Sequence, residues 1–131
     1  MPSQQKVLVV DDDATLCRAI VEMLECLGYR AVAASTVQEA LKIVEDDASF
    51  TAILLDVLMP EKGAPCFLRE YGGEVPVIPM SGKPEQLDLC EPFTSVAVTI
   101  LKPVLEEMVV EALKIARKGR KNGVTRLQHT S

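Results

Sequence analysis

The 131-residue sequence predicts an α/β fold: an open, doubly wound parallel sheet of five strands with helices on both faces. Three observations carry that expectation. Short runs rich in Val, Ile, Leu and Ala recur five times along the chain. The segments between them space their apolar residues at helical intervals. Strand and helix patterns alternate from one end of the chain to the other.

The first strand is Lys6–Val10, "KVLVV", a continuous apolar run of the kind buried on both faces. Leu16, Ile20, Leu24 and Leu27 then form one stripe of a helix, with Gly28 as its C-terminal cap. Arg30–Ala34 is the second strand. Thr36 and Glu39 have capping-box spacing and open a helix with the apolar face Val37, Ala40, Leu41 and Val44. Thr51–Leu55 is the third strand. Ala64–Tyr71 leaves room for about two helical turns before Gly72-Gly73. Val75–Met80 is the fourth strand, and Pro84–Glu91 another short helix stopped by Pro92. The third and fourth helices are therefore expected to be short or irregular. Ser95–Leu101 is the fifth strand. Pro103 prepares entry to the last helix, whose face is Leu105, Met108, Val109, Ala112, Leu113 and Ala116. The domain is expected to span residues 1–118, and 119–131 to form a polar, basic, frayed tail.

Composition narrows the function classes. Hydrophobic residues make up 48% of the chain, enough for a core; tryptophan is absent, so that core is aliphatic. No apolar run approaches the ~20 residues of a membrane span, and the polar start "MPSQQK" shows no secretion signal. Cys17, Cys26, Cys66 and Cys90 match no zinc spacing and read as reduced thiols of a cytoplasmic protein. The single histidine, His129, lies in the tail, which argues against histidine catalysis and phosphohistidine transfer. Residues 1–112 hold all nineteen acids and eight Lys/Arg, a net of −11; the last nineteen residues hold six Lys/Arg and no acid. A basic helix end suits the helix dipole, and one short basic tail does not make a nucleic-acid partner.

The strand ends carry the chemistry. Strand one runs into Asp11-Asp12-Asp13, strand three into Asp56, strand four into Ser81 and strand five into Lys102. In an open parallel sheet these ends share the ligand-binding edge. Two carboxylates at ~4 Å and an effective dielectric of about 20 repel by roughly 4 kcal/mol, so the acids need compensation. Clustered carboxylates without His or Cys favour Mg²⁺ or Mn²⁺ over zinc or copper. Asp13 is also placed to cap the first helix. An aspartate beside a cation and a lysine can act as a nucleophile toward phosphorus, with Lys102 and the Ser81 hydroxyl neutralising the phosphoryl oxygens. Taken singly, Lys102 reads as a surface lysine and Ser81 as a turn residue; their joint placement favours a site.

The pieces "VLVVDDD", "LLDVLMP", "PVIPMSG" and "LKP", in this order over residues 7–103, resemble the receiver domain of two-component response regulators. The resemblance implies a flavodoxin-like (βα)5 fold and a role for each matching position. Asp56 would be the phosphoacceptor, charged by a sensor histidine kinase or a phosphotransfer protein. Asp12 would bind Mg²⁺ directly, Asp11 close by through water, and Leu58 through its backbone carbonyl. Ser81 would bind the phosphoryl group and switch, Lys102 would pair with Asp56, and Met59-Pro60 would shape the following loop. A downstream protein target and a homodimer are further family expectations. The chain departs from the family pattern in several places. "MPEKG" reaches Gly63 early, the segment from Gly63 to Pro76 is short, and the fourth helix lacks the usual ending. Gly82 follows Ser81, and Thr99 stands where many receivers carry a rotating ring, a switch position. These departures bear on the output surface and remove no chemical group.

Two other readings fit parts of the chain. "DDDAT" matches the D-x-D-x-T motif of haloacid dehalogenase-type phosphatases, with Asp11 as nucleophile and Asp13 as acid/base. That family needs further acids at a strand end after its lysine, whereas Glu106, Glu107 and Glu111 fall inside a helix. A pseudo-receiver, a binding module without phosphorylation, would keep the fold; the thin third and fourth helices favour it and the intact acids, Ser81 and Lys102 oppose it.

Overall fold

The computed structural model describes residues 5–58 and 64–129. Strands and helices alternate as β1 (Lys6–Val10), α1 (Ala14–Cys26), β2 (Arg30–Ala34), α2 (Val37–Asp46), β3 (Phe50–Asp56), α3 (Ala64–Glu70), β4 (Val77–Ser81), α4 (Pro84–Asp88), β5 (Val98–Leu101), α5 (Glu106–Lys118) and β6 (Thr125–Leu127). All strands pair in parallel in the order β2-β1-β3-β4-β5-β6. The chain leaves β1 in one direction for β2 and returns past it for β3. The topological switch point therefore lies between β1 and β3.

Alternation along each central strand divides two cores. Leu8, Val10, Ile53, Leu55 and Val77 pack with α2, α3 and α4 residues such as Val37, Phe67 and Leu87. Val7, Val9, Ala52, Leu54, Ile78 and Ile100 pack with Ile20 and Leu24 of α1 and Val109 and Ala112 of α5. Val7, Leu8, Val9 and Val10 are all fully buried, which explains why β1 reads as an unbroken apolar run.

Local rules account for most helix ends. Asp13 Oδ1 accepts from the Thr15 and Leu16 N–H groups at 3.0 and 3.2 Å and opens α1. Gly28 follows α1 at φ +95°, a conformation that favours glycine. Thr36 Oγ1 accepts from the Glu39 N–H at 3.0 Å, but the Glu39 carboxylate accepts from Ser35, one residue before the expected partner. The α3 and α4 helices have seven and five residues, as short as their sequences predict. Pro103 lies three positions before the first residue of α5, so the helix opens at Glu106 after an extended Leu105.

The C-terminal tail departs from expectation. Among the described residues the sheet has six strands rather than five, and residues 125–127 form the sixth rather than fraying. Val98, Thr99 and Ile100 pair with Thr125, Arg126 and Leu127, and the Thr125 N–H donates to Ala97 O at 3.0 Å. The physical reason is the open edge of β5. Its unpaired main-chain groups take up the segment that α5 delivers back along the sheet. Among the described residues no helix is long and apolar enough to cross a membrane.

Candidate functional site

β1 and β3 lie side by side with Val10 opposite Leu55, so Asp11 and Asp56 leave adjacent strands at the same edge. Asp11, Asp12 and Asp56 each bring a carboxylate oxygen within 4.8 Å of the other two. Asp11 and Asp56 are buried, whereas Asp12 is exposed. This crevice is the switch point of the sheet, where open α/β folds bind ligands.

The site is short of positive charge. Asp11 Oδ1 accepts from the Asp13 N–H at 2.9 Å, while its buried Oδ2 has no hydrogen-bond partner. Burial pushes the Asp11 carboxyl up to about 6; the Asp13 N–H opposes this, the neighbouring Asp56 adds to it, and Lys102 works against it. Asp56 Oδ1 accepts from the Leu58 N–H at 3.1 Å and from Lys102 Nζ at 3.4 Å. Lys102 reaches Asp56 past the end of β4, where its own N–H donates to Ser81 O at 2.8 Å.

Three carboxylates and no nitrogen or sulfur ligand form an all-oxygen donor set. With a buried oxygen left unsatisfied, they fit a hard divalent cation such as Mg²⁺ or Mn²⁺. Asp13 stands apart from this group. Its Oδ1 caps the α1 N-terminus, and its carboxylate is not among the three that converge.

The other expected residues take distinct places. Ser81 is buried at the end of β4, one residue beyond the Met80 that pairs with Asp56. Its Oγ accepts from the Lys83 N–H at 3.1 Å, tying the strand end to the start of α4. The Leu58 side chain is exposed and its N–H holds Asp56. Thr99 is not at the crevice. It lies within β5, fully buried, on the sheet face that Leu101 shares with α4, and its hydroxyl has no partner. Met59 and Pro60 lie outside the described residues.

Sequence reasoning missed the main-chain donors. Asp11, Asp13 and Asp56 each accept from the N–H two residues on, a turn that aspartate favours at a strand end. The side-chain letters at the donor positions carry no trace of it, although the recurrent Asp-x-x pattern after a strand is a usable signal.

A family model described as the response regulator receiver domain matches residues 7–114. Transcriptional regulatory protein CpxR of Escherichia coli strain K12 is 34% identical over 85 residues, covering 63% of this chain and 36% of that protein. Two-component response regulator ARR2 of Arabidopsis thaliana is 32% identical over 117 residues, covering 86% of this chain and 17% of that protein. The chain thus spans about a third or less of the length of these relatives. Among solved structures, the receiver domain of the hybrid histidine kinase CckA is 27% identical with a TM-score of 0.70, covering 86% of this chain and 98% of that one. A response regulator receiver domain protein from Clostridium thermocellum shares the fold at a TM-score of 0.79 and 24% identity, covering 87% of this chain and 94% of that one.

Proposed function

Since the chain belongs to the response regulator receiver domain family, a signalling family of two-component systems, we propose that it accepts a phosphoryl group on Asp56. The donor is a phosphohistidine of a sensor kinase or phosphotransfer protein, and the acceptor then alters a surface read by a downstream protein in the cytoplasm. One observation carries this reading: Asp56 meets Asp11, Asp12 and the Lys102 ammonium at the switch point of the sheet.

Asp11, Asp12, Asp56 and the Leu58 carbonyl would hold Mg²⁺ or Mn²⁺, which supplies charge neutralisation for phosphoryl transfer. An Asp56 carboxylate oxygen forms the new bond to phosphorus while the donor's P–N bond breaks. The electron pair leaves on the imidazole nitrogen, which takes a proton from water. The Leu58 N–H and Lys102 orient the attacking carboxylate. The Lys102 ammonium stays beside the product and offsets part of its charge. Asp56 changes from one negative charge to about two and gains acceptor oxygens. The Ser81 hydroxyl donates to one of them, and the movement of Ser81 is passed to Lys83 through the bond they share.

The test uses intact mass after incubation with Mg²⁺ and acetyl phosphate. The expected result is a gain of one phosphate that disappears in Asp56→Asn. No gain in a folded sample points to a pseudo-receiver that only binds partners.

A further inference from the structure

Strand β6 has three residues and one neighbour, and its strongest side-chain contacts run to α4 rather than to β5. The Arg126 guanidinium donates to the Asp88 carboxylate, to Glu91 Oε2 at 3.3 Å and to Pro84 O at 3.4 Å. Arg120, on the same segment, donates to Glu91 O at 2.9 Å and to Phe93 O at 3.4 Å. Two arginines therefore hold the first residue of α4, its last, and the turns that follow. The helix itself has five residues and no side-chain cap, too little to stand without such support. It is anchored in the core by the buried Leu87 and tied to the end of β4 by the Lys83 N–H bond to Ser81.

The junction beneath Arg126 is incomplete. Arg126 lies opposite Thr99 in the strand register, and the buried Arg126 Nε and Thr99 Oγ1 both have no partner. Two buried polar atoms without partners at one register position weaken the docking of β6. A three-residue edge strand, held by its pairing to β5 and by partly exposed ion pairs, is the kind of element that opens locally.

We infer that β6 is a latch in cis: docked, it holds α4 in its resting position through Arg126, and a phosphoryl group on Asp56 releases it. Ser81 moves toward the phosphoryl oxygens, Lys83 and α4 follow, and Asp88 and Glu91 leave the reach of Arg126. The β5 edge is then uncovered. This inference rests on the phosphoacceptor reading. Linkage makes it reciprocal, so weakening the latch must favour the phosphorylated conformation by the same factor.

The test is hydrogen exchange of the full chain with Mg²⁺ and beryllium fluoride as the phosphoryl mimic. On binding, the amides of Thr125 and Leu127, which face β5 in the parallel ladder, exchange about tenfold faster, a coupling in the ordinary range. Arg126→Ala shows the faster exchange without the mimic, and binds the mimic about three- to tenfold tighter, as the loss of two exposed ion pairs allows. The double variant Asp88→Asn with Glu91→Gln, which leaves β6 intact, reproduces both changes. Unchanged exchange at Thr125 and Leu127 in a chain that binds beryllium fluoride overturns the latch and leaves the phosphoacceptor reading standing. A folded wild-type chain that does not bind beryllium fluoride overturns the phosphoacceptor reading, and the coupling with it.

Discussion

The two faces of the sheet are buried equally deeply by very different means. One is covered by α1 and α5, thirteen residues each, with Leu24 and Val109 fully buried beneath them. The other is covered by α2, α3 and α4, of ten, seven and five residues, yet Phe67, Leu87 and Cys90 are just as inaccessible. Long helices carry their own hydrogen-bond ladders, whereas helices of five or seven residues depend on the core beneath them and on side chains from elsewhere. The α1/α5 face is thus the rigid half. The α4 face, which holds Ser81 and Thr99, is the half able to rearrange.

Truncating one buried leucine on each face tests this difference most directly. Leu24→Ala is expected to destabilise by about 3 kcal/mol in urea unfolding, because the rigid face cannot close around the cavity. Leu87→Ala, equally buried, is expected to cost about 2 kcal/mol, since the short helix and its turns relax into the space. Equal or reversed costs would break the comparison.

Asp11 sharpens it at the seam where the faces meet. Burial raises its carboxyl to about 6 in the fold, above the ordinary carboxylate range. Between about pH 4 and 6 the native state therefore holds more protons than the unfolded state, so stability falls as pH rises through that window. In chelator, Asp11→Asn should remove the slope and raise stability at pH 7 by about 2 kcal/mol. Added Mg²⁺ should stabilise the wild type and leave the variant nearly unmoved. A wild-type profile that is flat from pH 4 to 6 would show that the site is not charge-frustrated.

The smallest effect belongs to Thr99. Its buried hydroxyl lacks a partner, so Thr99→Val should stabilise by about 1 kcal/mol on denaturant unfolding, an unusual sign for a core substitution. A loss of similar size would mean that the hydroxyl is satisfied in solution.

The central elements were readable because their causes are local. β1 and β2 begin and end where their apolar runs do, and Asp13 and Thr36 cap the helices that their spacing announces. The site residues Asp11, Asp12, Asp56, Ser81 and Lys102 were readable as strand ends, since a parallel sheet brings all such ends to one edge. Thr99 was singled out as a switch position through a family resemblance alone, and it lies within β5, three residues before Lys102, as the strand pattern places it. Arg126 carried no signal at all, because a three-residue strand is too short for alternation to be distinguished from a polar tail.

By itself the sequence determined the alternating α/β order, the two-sided core and the edge where the acids collect. These follow from periodicity and from the residue types that end each strand, all within a few positions of one another. Only the tertiary structure decided that Asp11 Oδ2 is buried without a partner, that Lys102 reaches Asp56 across 46 positions, and that Arg126 reaches Asp88 across 38. Such contacts depend on which strands become neighbours and which edge is left open, and no local pattern encodes either.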